Sequence, residues 1–204
     1  MGMSSSRRYG SQEITLVTTS KASDWKVEAC WSESRVTWNA LGKVYHGNEP
    51  TIDFSGNTGS EAIVIRSSQG FTGFNGMYDG CQIKSIDLQK TTSLNTFAIR
   101  KNQVKVLDVS NNTNLQSLLL SDNKIEVLDV SNNTKLESLD FSRNQVKVLD
   151  VSKNTSLTGL WCDANPLTII YVNQTQLDMI NGVIPKLPNW YWQKDYDQTY
   201  VLKQ

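Results

Sequence analysis

The stretch Leu107-Asp108-Val109-Ser110-Asn111-Asn112-Thr113 returns at Leu128 to Thr134, and again at Leu149 to Thr155 with Lys153 in place of the first asparagine. The spacing is 21 residues both times, 128 − 107 and 149 − 128. Aligning the chain at that period gives columns of like residues. One is Leu94, Leu115, Leu136, Leu157; the next is Phe97, Leu118, Leu139, Leu160; the third is Ile99, Leu120, Phe141, Cys162. An asparagine column follows at Asn102, Asn123, Asn144 and Asn165. After it come Val104, Ile125, Val146, Leu167; then Leu107, Leu128, Leu149, Ile170; then Val109, Val130, Val151, Val172. Upstream the pattern survives as Ile83, Ile86 and Leu88.

A period in this range, with leucines spaced in this way, predicts a β-rich leucine-rich-repeat solenoid. The expected form is a right-handed β/α-type superhelix with few helices, because each half-coil shows apolar residues two apart (Leu118, Leu120; Leu128, Val130), a strand period. A half-coil of 10 or 11 residues is too short to enclose a core. The two halves are therefore two sides of one turn, both expected to stack at about 4.8 Å, the inter-strand distance. The asparagine column has a physical reason. Where a strand ends and the chain turns inward, buried backbone N–H and C=O groups lose their partners, and an amide side chain can serve both. Asn112, Asn133 and Asn154 are expected to do the same at the opposite turn. The sequons at Asn111 and Asn132 fall within this ladder, which argues against glycosylation there.

Outside the repeat the pattern changes. Residues 1–11 read as a disordered lead-in, 12–69 as a small antiparallel β cap, 70–176 as the solenoid with one degenerate and four clear coils, and 177–204 as a C-terminal cap. Within the front unit Glu13 to Thr19, Trp25 to Trp31, Val36 to Leu41, Thr51 to Ser55 and Glu61 to Ser67 read as strands, alternating apolar and polar residues between turn formers. Such a unit would close the open edge of the first coil. Phe71, Phe74 and Met77 suggest an irregular first coil with a loop near Tyr78. At the far end Thr175 to Gly182 has helical spacing, and the aromatics Trp190 to Trp192 are expected to fold over the last coil.

Lys+Arg and Asp+Glu each number 20, so the net charge is zero. Nucleic acid and anionic membranes are disfavoured as partners. No apolar run reaches the about 18 residues of a membrane-spanning helix. Met1 to Tyr9 lacks an apolar signal core, so the chain is either cytoplasmic or exported by a leader removed upstream. Cys30, Cys81 and Cys162 are scattered and odd in number, without disulfide or metal spacing; Cys162 reads as a small core residue. No metal and no cofactor is implied, and the chain is expected to be a monomer.

The run Leu136 to Thr155, Leu-Glu-Ser-Leu-Asp-Phe-Ser-Arg-Asn-Gln-Val-Lys-Val-Leu-Asp-Val-Ser-Lys-Asn-Thr, resembles the 21-residue repeats of bacterial surface leucine-rich-repeat proteins of gut and oral anaerobes. The resemblance covers Gly70 to about Gln176. The flanks Ile14 to Ala22 and Trp192-Gln193-Lys194-Asp195 resemble the family's opening strand and closing segment. It implies export, a cell-surface, periplasmic or secreted location, and adhesion to a protein or matrix ligand. Function is not carried by fold alone.

The outward columns of the two halves differ. In the Leu-Asp-Val-Ser half they nearly repeat: Val106, Val127, Val148; Asp108, Asp129, Asp150; Ser110, Ser131, Ser152. In the other half they diverge, as in Ala98, Leu119, Asp140, Trp161 and Arg100, Ser121, Ser142, Asp163. The expected ligand-binding face is therefore Arg100, Leu119, Asp140, Trp161 and Asp163, with Arg143 at its rim, since Trp, Tyr and Arg are common anchors. The plain alternative is a drifting solvated surface with Trp161 under the C-terminal cap. A carbohydrate-binding module using Trp161 or the Trp190–Trp192 cluster is the second functional reading. The aspartate column could attract Ca²⁺, but each Asp can instead accept from a neighbouring turn residue. An enzyme is not expected. The single histidine, His46, reads as a loop residue with no cysteine near it. The pair Asp140 and Asp163, roughly 8 Å apart by strand geometry, has no cleft to raise one carboxyl. No phosphate loop or dinucleotide fingerprint occurs.

Overall fold

The computed structural model describes residues 11–77, 81–193 and 198–203. The lead-in, the loop near Tyr78, and Lys194 and Asp195 of the closing segment lie outside the described residues, save Ser11 and Cys81. In chain order the front unit runs β1 (Gln12–Thr18), β2 (Ala29–Trp31), β3 (Val36–Ala40), β4 (Lys43–His46) and β5 (Glu61–Ser67). Then come β6 (Gly73–Asn75), β7 (Ile83–Asp87), β8 (Thr96–Ala98), β9 (Ser117–Leu119), β10 (Ser138–Asp140), β11 (Val148–Asp150), β12 (Gly159–Trp161) and β13 (Ile169–Val172). The chain closes with α1 (Gln174–Ile180), β14 (Tyr191–Gln193) and β15 (Thr199–Leu202).

The strands form three sheets. A five-stranded sheet has the order β4-β3-β5-β1-β7, a seven-stranded sheet β14-β12-β10-β9-β8-β6-β2, and a three-stranded sheet β11-β13-β15. One strand per repeat enters the seven-stranded sheet, parallel and in register: Phe97 pairs with Leu118, Leu118 with Leu139, and Leu139 with Leu160. The pleat sends these four inward, fully buried, and their neighbours outward. One apolar cluster runs from Ile14 through Val172. Together the one-strand repeat and its leucine spacing define a β-rich leucine-rich-repeat fold.

The front unit engages both sides of the repeat. β1 pairs antiparallel with β7, which carries the degenerate Ile83–Ile86 repeat, and β2 pairs antiparallel with β6 at the edge of the seven-stranded sheet. Two strand expectations need correction here. Only Ala29–Trp31 of Trp25 to Trp31 is a strand, and Thr51 to Ser55 contributes a single bridge, Trp25 to Ile52. Both segments are pinned by side chains instead: Trp25 stands edge-on to Phe54 at 5.4 Å and donates its indole N–H to the Cys81 carbonyl. The segment holding His46 is β4, paired with β3, and not a loop. Leu41 and Gly42, both at positive φ, make the two-residue turn between them.

At the other end α1 starts one residue earlier than expected. Asn173 caps it, accepting from the Gln176 N–H while Gln176 Oε1 accepts from the Asn173 N–H. Beyond it the non-repeating tail adds another rung to each side, β14 beside β12 and β15 beside β13, both parallel.

The asparagine columns hold the turns. Asn123 Oδ1 accepts from Val104 N–H, one coil back, at 3.1 Å; its Nδ2 donates to the carbonyls of Ile99 (2.7 Å), Leu120 (3.0 Å) and Ser121 (3.4 Å). Asn102, Asn144 and Asn165 repeat this set. The second column works by donation alone. Asn112, Asn133 and Asn154 donate to carbonyls of the preceding coil, but their Oδ1 atoms are buried without a partner. Gln176 supplies the next rung from α1, donating to the Val151 and Asn154 carbonyls. The sequon acceptors Asn111 and Asn132 are exposed and their neighbours are the buried ones, so the ladder does not protect them.

The second half of the coil, expected as a short extended segment stacked at strand spacing, forms a parallel ladder late in the chain, where β11, β13 and β15 pair. The earlier segments 104–109 and 125–130 form no strand. They are pinned only where they begin, by Lys124 N–H to Val104 C=O and Gln145 N–H to Ile125 C=O, and by the second asparagine column. Between them lies an open cavity of about 390 Å³, lined by Val106, Asp108, Val127 and Asp129 among others. The coils need hydrogen-bond satisfaction at their turns, and once the asparagines supply it the solvated half can splay.

Candidate binding face

The seven-stranded sheet presents two outward rows. The first runs Trp31, Gly73, Thr96, Ser117, Ser138, Gly159, Tyr191. The second runs Ala29, Asn75, Ala98, Leu119, Asp140, Trp161, Gln193. β8, β9, β10 and β12 each end in a turn whose residue before the ladder asparagine is left-handed: Lys101, Asp122, Arg143 and Ala164, with φ of 53 to 58°. That conformation costs a non-glycine residue about 1 kcal/mol or more, and nothing in the residue types signals it.

Of the six expected site residues, the structure brings Arg100, Leu119, Asp140 and Trp161 onto one surface. Arg100 reaches over β9 to Asp140, two coils on, at 2.9 Å. Asp140 is only 7% exposed and also accepts from the Ser142 N–H and hydroxyl. It holds Arg100 in place and is not free to meet a ligand. Arg143 grips Asp122 in the neighbouring turn through two bonds of 2.6 and 3.0 Å. That pairing holds the Asp122 carboxyl below its ordinary value. Asp163 lies at the matching turn of the next coil, its carbonyl accepting from Arg143 N–H.

Trp161 is half-buried. Its ring folds back along β12 over Gly159, where a Cβ would lie 2.7 Å from it. Tyr191 sits 5.6 Å away on the added strand and is 53% exposed. The C-terminal segment therefore borders Trp161. Trp192, paired with Leu160, instead points inward against the core, stacked on Trp190 at 4.4 Å. The leading expectation for Trp190 to Trp192 is a fold over the last coil and the alternative an exposed cluster; Trp192 packs inward while Tyr191 is exposed, so the three do not form one exposed cluster. At the opposite end of the sheet Trp31, 45% exposed, leans over Gly73 in the same manner. Sequence reasoning missed Trp31, because it stands outside the repeat and only the antiparallel β2–β6 pairing brings it to this face.

On the other half of each coil Asp108, Asp129 and Asp150 each accept from the N–H of the serine two residues on, at 2.9, 2.9 and 3.0 Å. The Ser110 hydroxyl and N–H hold Asp108 below its ordinary value. Among the described residues no group of three or more His, Cys, Asp or Glu could hold a metal ion. The three cysteines are buried and not in disulfides, and burial pushes the Cys30 thiol up to about 12. No described helix is long and apolar enough to cross a membrane.

The repeat, its strand ladder and its asparagine turns make this a leucine-rich-repeat chain of the β-rich kind. Among solved structures it is similar to the functional domain of InlJ from Listeria monocytogenes, described as including a cysteine ladder, at 37% identity over 48% of this chain, with a TM-score of 0.45. It is also similar to an internalin (inlF) from Listeria monocytogenes at 24% identity over 57% of this chain, with a TM-score of 0.39. The chain spans 22% and 38% of those two proteins. No protein-family model matches the sequence, and neither does any curated protein.

Proposed function

We propose that this chain is a non-enzymatic, surface-exposed adhesion module, a leucine-rich-repeat solenoid that binds a protein or matrix macromolecule on the outer face of the seven-stranded sheet. The observation that carries this reading is the asymmetry between the two halves of the coil. One half repeats its outward residues and is tied up in local turns. The other is a continuous sheet with divergent outward residues and aromatic side chains at both ends. Anchors of the Trp, Tyr and Arg type commonly dominate such surfaces. Aspartates engaged with Arg100 or with serine N–H groups, buried thiols and an exposed lone histidine support a binder over a catalyst.

The test is a panel of immobilised matrix proteins and glycans probed with the native chain. Against whichever ligand binds, Trp161→Ala should weaken affinity by about tenfold, the loss expected of a truncated anchor. Full affinity in that variant would refute this face.

A further inference from the structure

The chemistry of this face narrows its ligand; the argument rests on the reading of the face just given. Its two ends are built alike. At one, Trp31 lies over a glycine on the next strand; at the other, Trp161 lies over a glycine on its own strand, beside Tyr191. In both cases the missing Cβ leaves the space that the indole occupies. Trp31 and Trp161 stand on strands five steps apart, about 24 Å at the inter-strand spacing. Between them the first row carries Thr96, Ser117 and Ser138, half-buried and in register. Their hydroxyls make no hydrogen bond among the described residues, so each has a donor and acceptor to offer. Beside them in the second row the half-buried Leu119 adds a small apolar contact. Two charge pairs on the face are internal, Arg100 with Asp140 and Arg143 with Asp122.

A ligand for such a surface needs flat apolar faces at intervals, hydroxyls along its length and no net charge. We infer that the ligand is an extended, uncharged glycan chain lying across the strands, with one sugar ring on Trp31, another on Trp161 and Tyr191, and those between hydrogen-bonded to the hydroxyl row. The C–H faces of a pyranose suit the electron-rich face of an indole. A chain that spans both ends requires several sugar units, so short oligosaccharides should bind weakly.

Affinity electrophoresis through gels containing soluble β-glucan, xylan, galactomannan or dextran tests this, with hyaluronan as the charged counterpart. The native chain should be retarded by at least one neutral polymer and not by hyaluronan. Trp31→Ala and Trp161→Ala should each weaken retardation by about tenfold, as expected for a lost aromatic anchor. Long oligosaccharides of that polymer should compete far better than the disaccharide. Ser117→Arg, an exposed-side change that blocks the middle of the row without touching the core, should abolish retardation while the melting temperature stays near the native value. Absence of retardation in every neutral gel overturns the inference. If a matrix protein is then bound and lost in Trp161→Ala, the glycan inference falls and the binding face stands. Retardation unchanged by Trp31→Ala removes the two-ended arrangement.

Discussion

Replacing Asn123 tests the principle that holds the repeats together. Its amide is 8% exposed and makes four bonds. Three of the groups it serves have a second partner. Ile99 C=O also accepts from Asn102, Leu120 C=O from Asn144, and Ser121 C=O from the Lys101 N–H. Val104 N–H has only Asn123, and Val104 is fully buried. Asn123→Ala therefore orphans one buried donor, worth about 1–3 kcal/mol, and thins three shared acceptors. The expected loss is about 2–3 kcal/mol, a large part of a typical domain's stability.

Asn123→Asp separates the amide's two roles. The acceptor for Val104 remains, but an ionised oxygen would face the carbonyls of Ile99, Leu120 and Ser121. That repulsion, with the burial of the charge, should exceed the cost of the alanine variant at pH 7. It also sets a sign. The new carboxyl's folded-state pKa is raised above its unfolded value, so its penalty is absent below the unfolded pKa, near 4, and grows as pH rises through that value toward the folded one. Urea unfolding at pH 7 and pH 3.5 measures both variants, with an unchanged slope confirming that the native surface is kept. Asn132→Ala is the control: Asn132 is exposed with one bond of 3.3 Å, so its loss should stay within about 0.5 kcal/mol. The reasoning fails if Asn123→Ala costs no more than that control, or if Asn123→Asp shows no relative recovery in acid.

Ala164→Gly should leave the unfolding midpoint unchanged or raise it by up to about 1 kcal/mol, because its φ of +54° penalises alanine more than glycine's extra chain entropy does; a loss above that size would contradict the assigned turn. An NMR titration should find the Asp122 carboxyl below its ordinary 3.8, lowered by Arg143, and Arg143→Ala should return it toward that value. The pair's small stabilisation is present above the unfolded pKa and lost as pH falls through the lower folded one. With Cys30, Cys81 and Cys162 all buried, a thiol reagent at pH 8 should find none in the native chain and three after unfolding; one fast native thiol would refute the burial of that cysteine.

The period of 21 residues was enough to assign the columns. Leucines two apart must point to one side of a strand, and a turn that buries backbone groups selects asparagine; both are local requirements that residue types can carry. The same reasoning separated the repeating half from the divergent half and placed Trp161 on the latter. It could not see that Asp140 would be taken by Arg100 across two coils, or that the second asparagine column donates and leaves its oxygens unused. Those outcomes depend on distances between coils, which periodicity does not contain. The splay of 104–109 from 125–130 depends on them too, since an extended segment looks the same in sequence whether or not its neighbour is close enough to bond.

By itself, then, the sequence determined the repeat, the inward columns and the turn chemistry, because each follows from one residue and its near neighbours. Only the tertiary structure decided how the face is finished. β2 comes from outside the repeat to pair with β6 and sets Trp31 at one end. The tail returns as β14 to set Tyr191 beside Trp161 at the other, while Trp192 is turned inward by the pleat. Those positions are fixed by strand pairings between segments with no shared pattern, and pairing of that kind is settled by which open sheet edge remains to be covered.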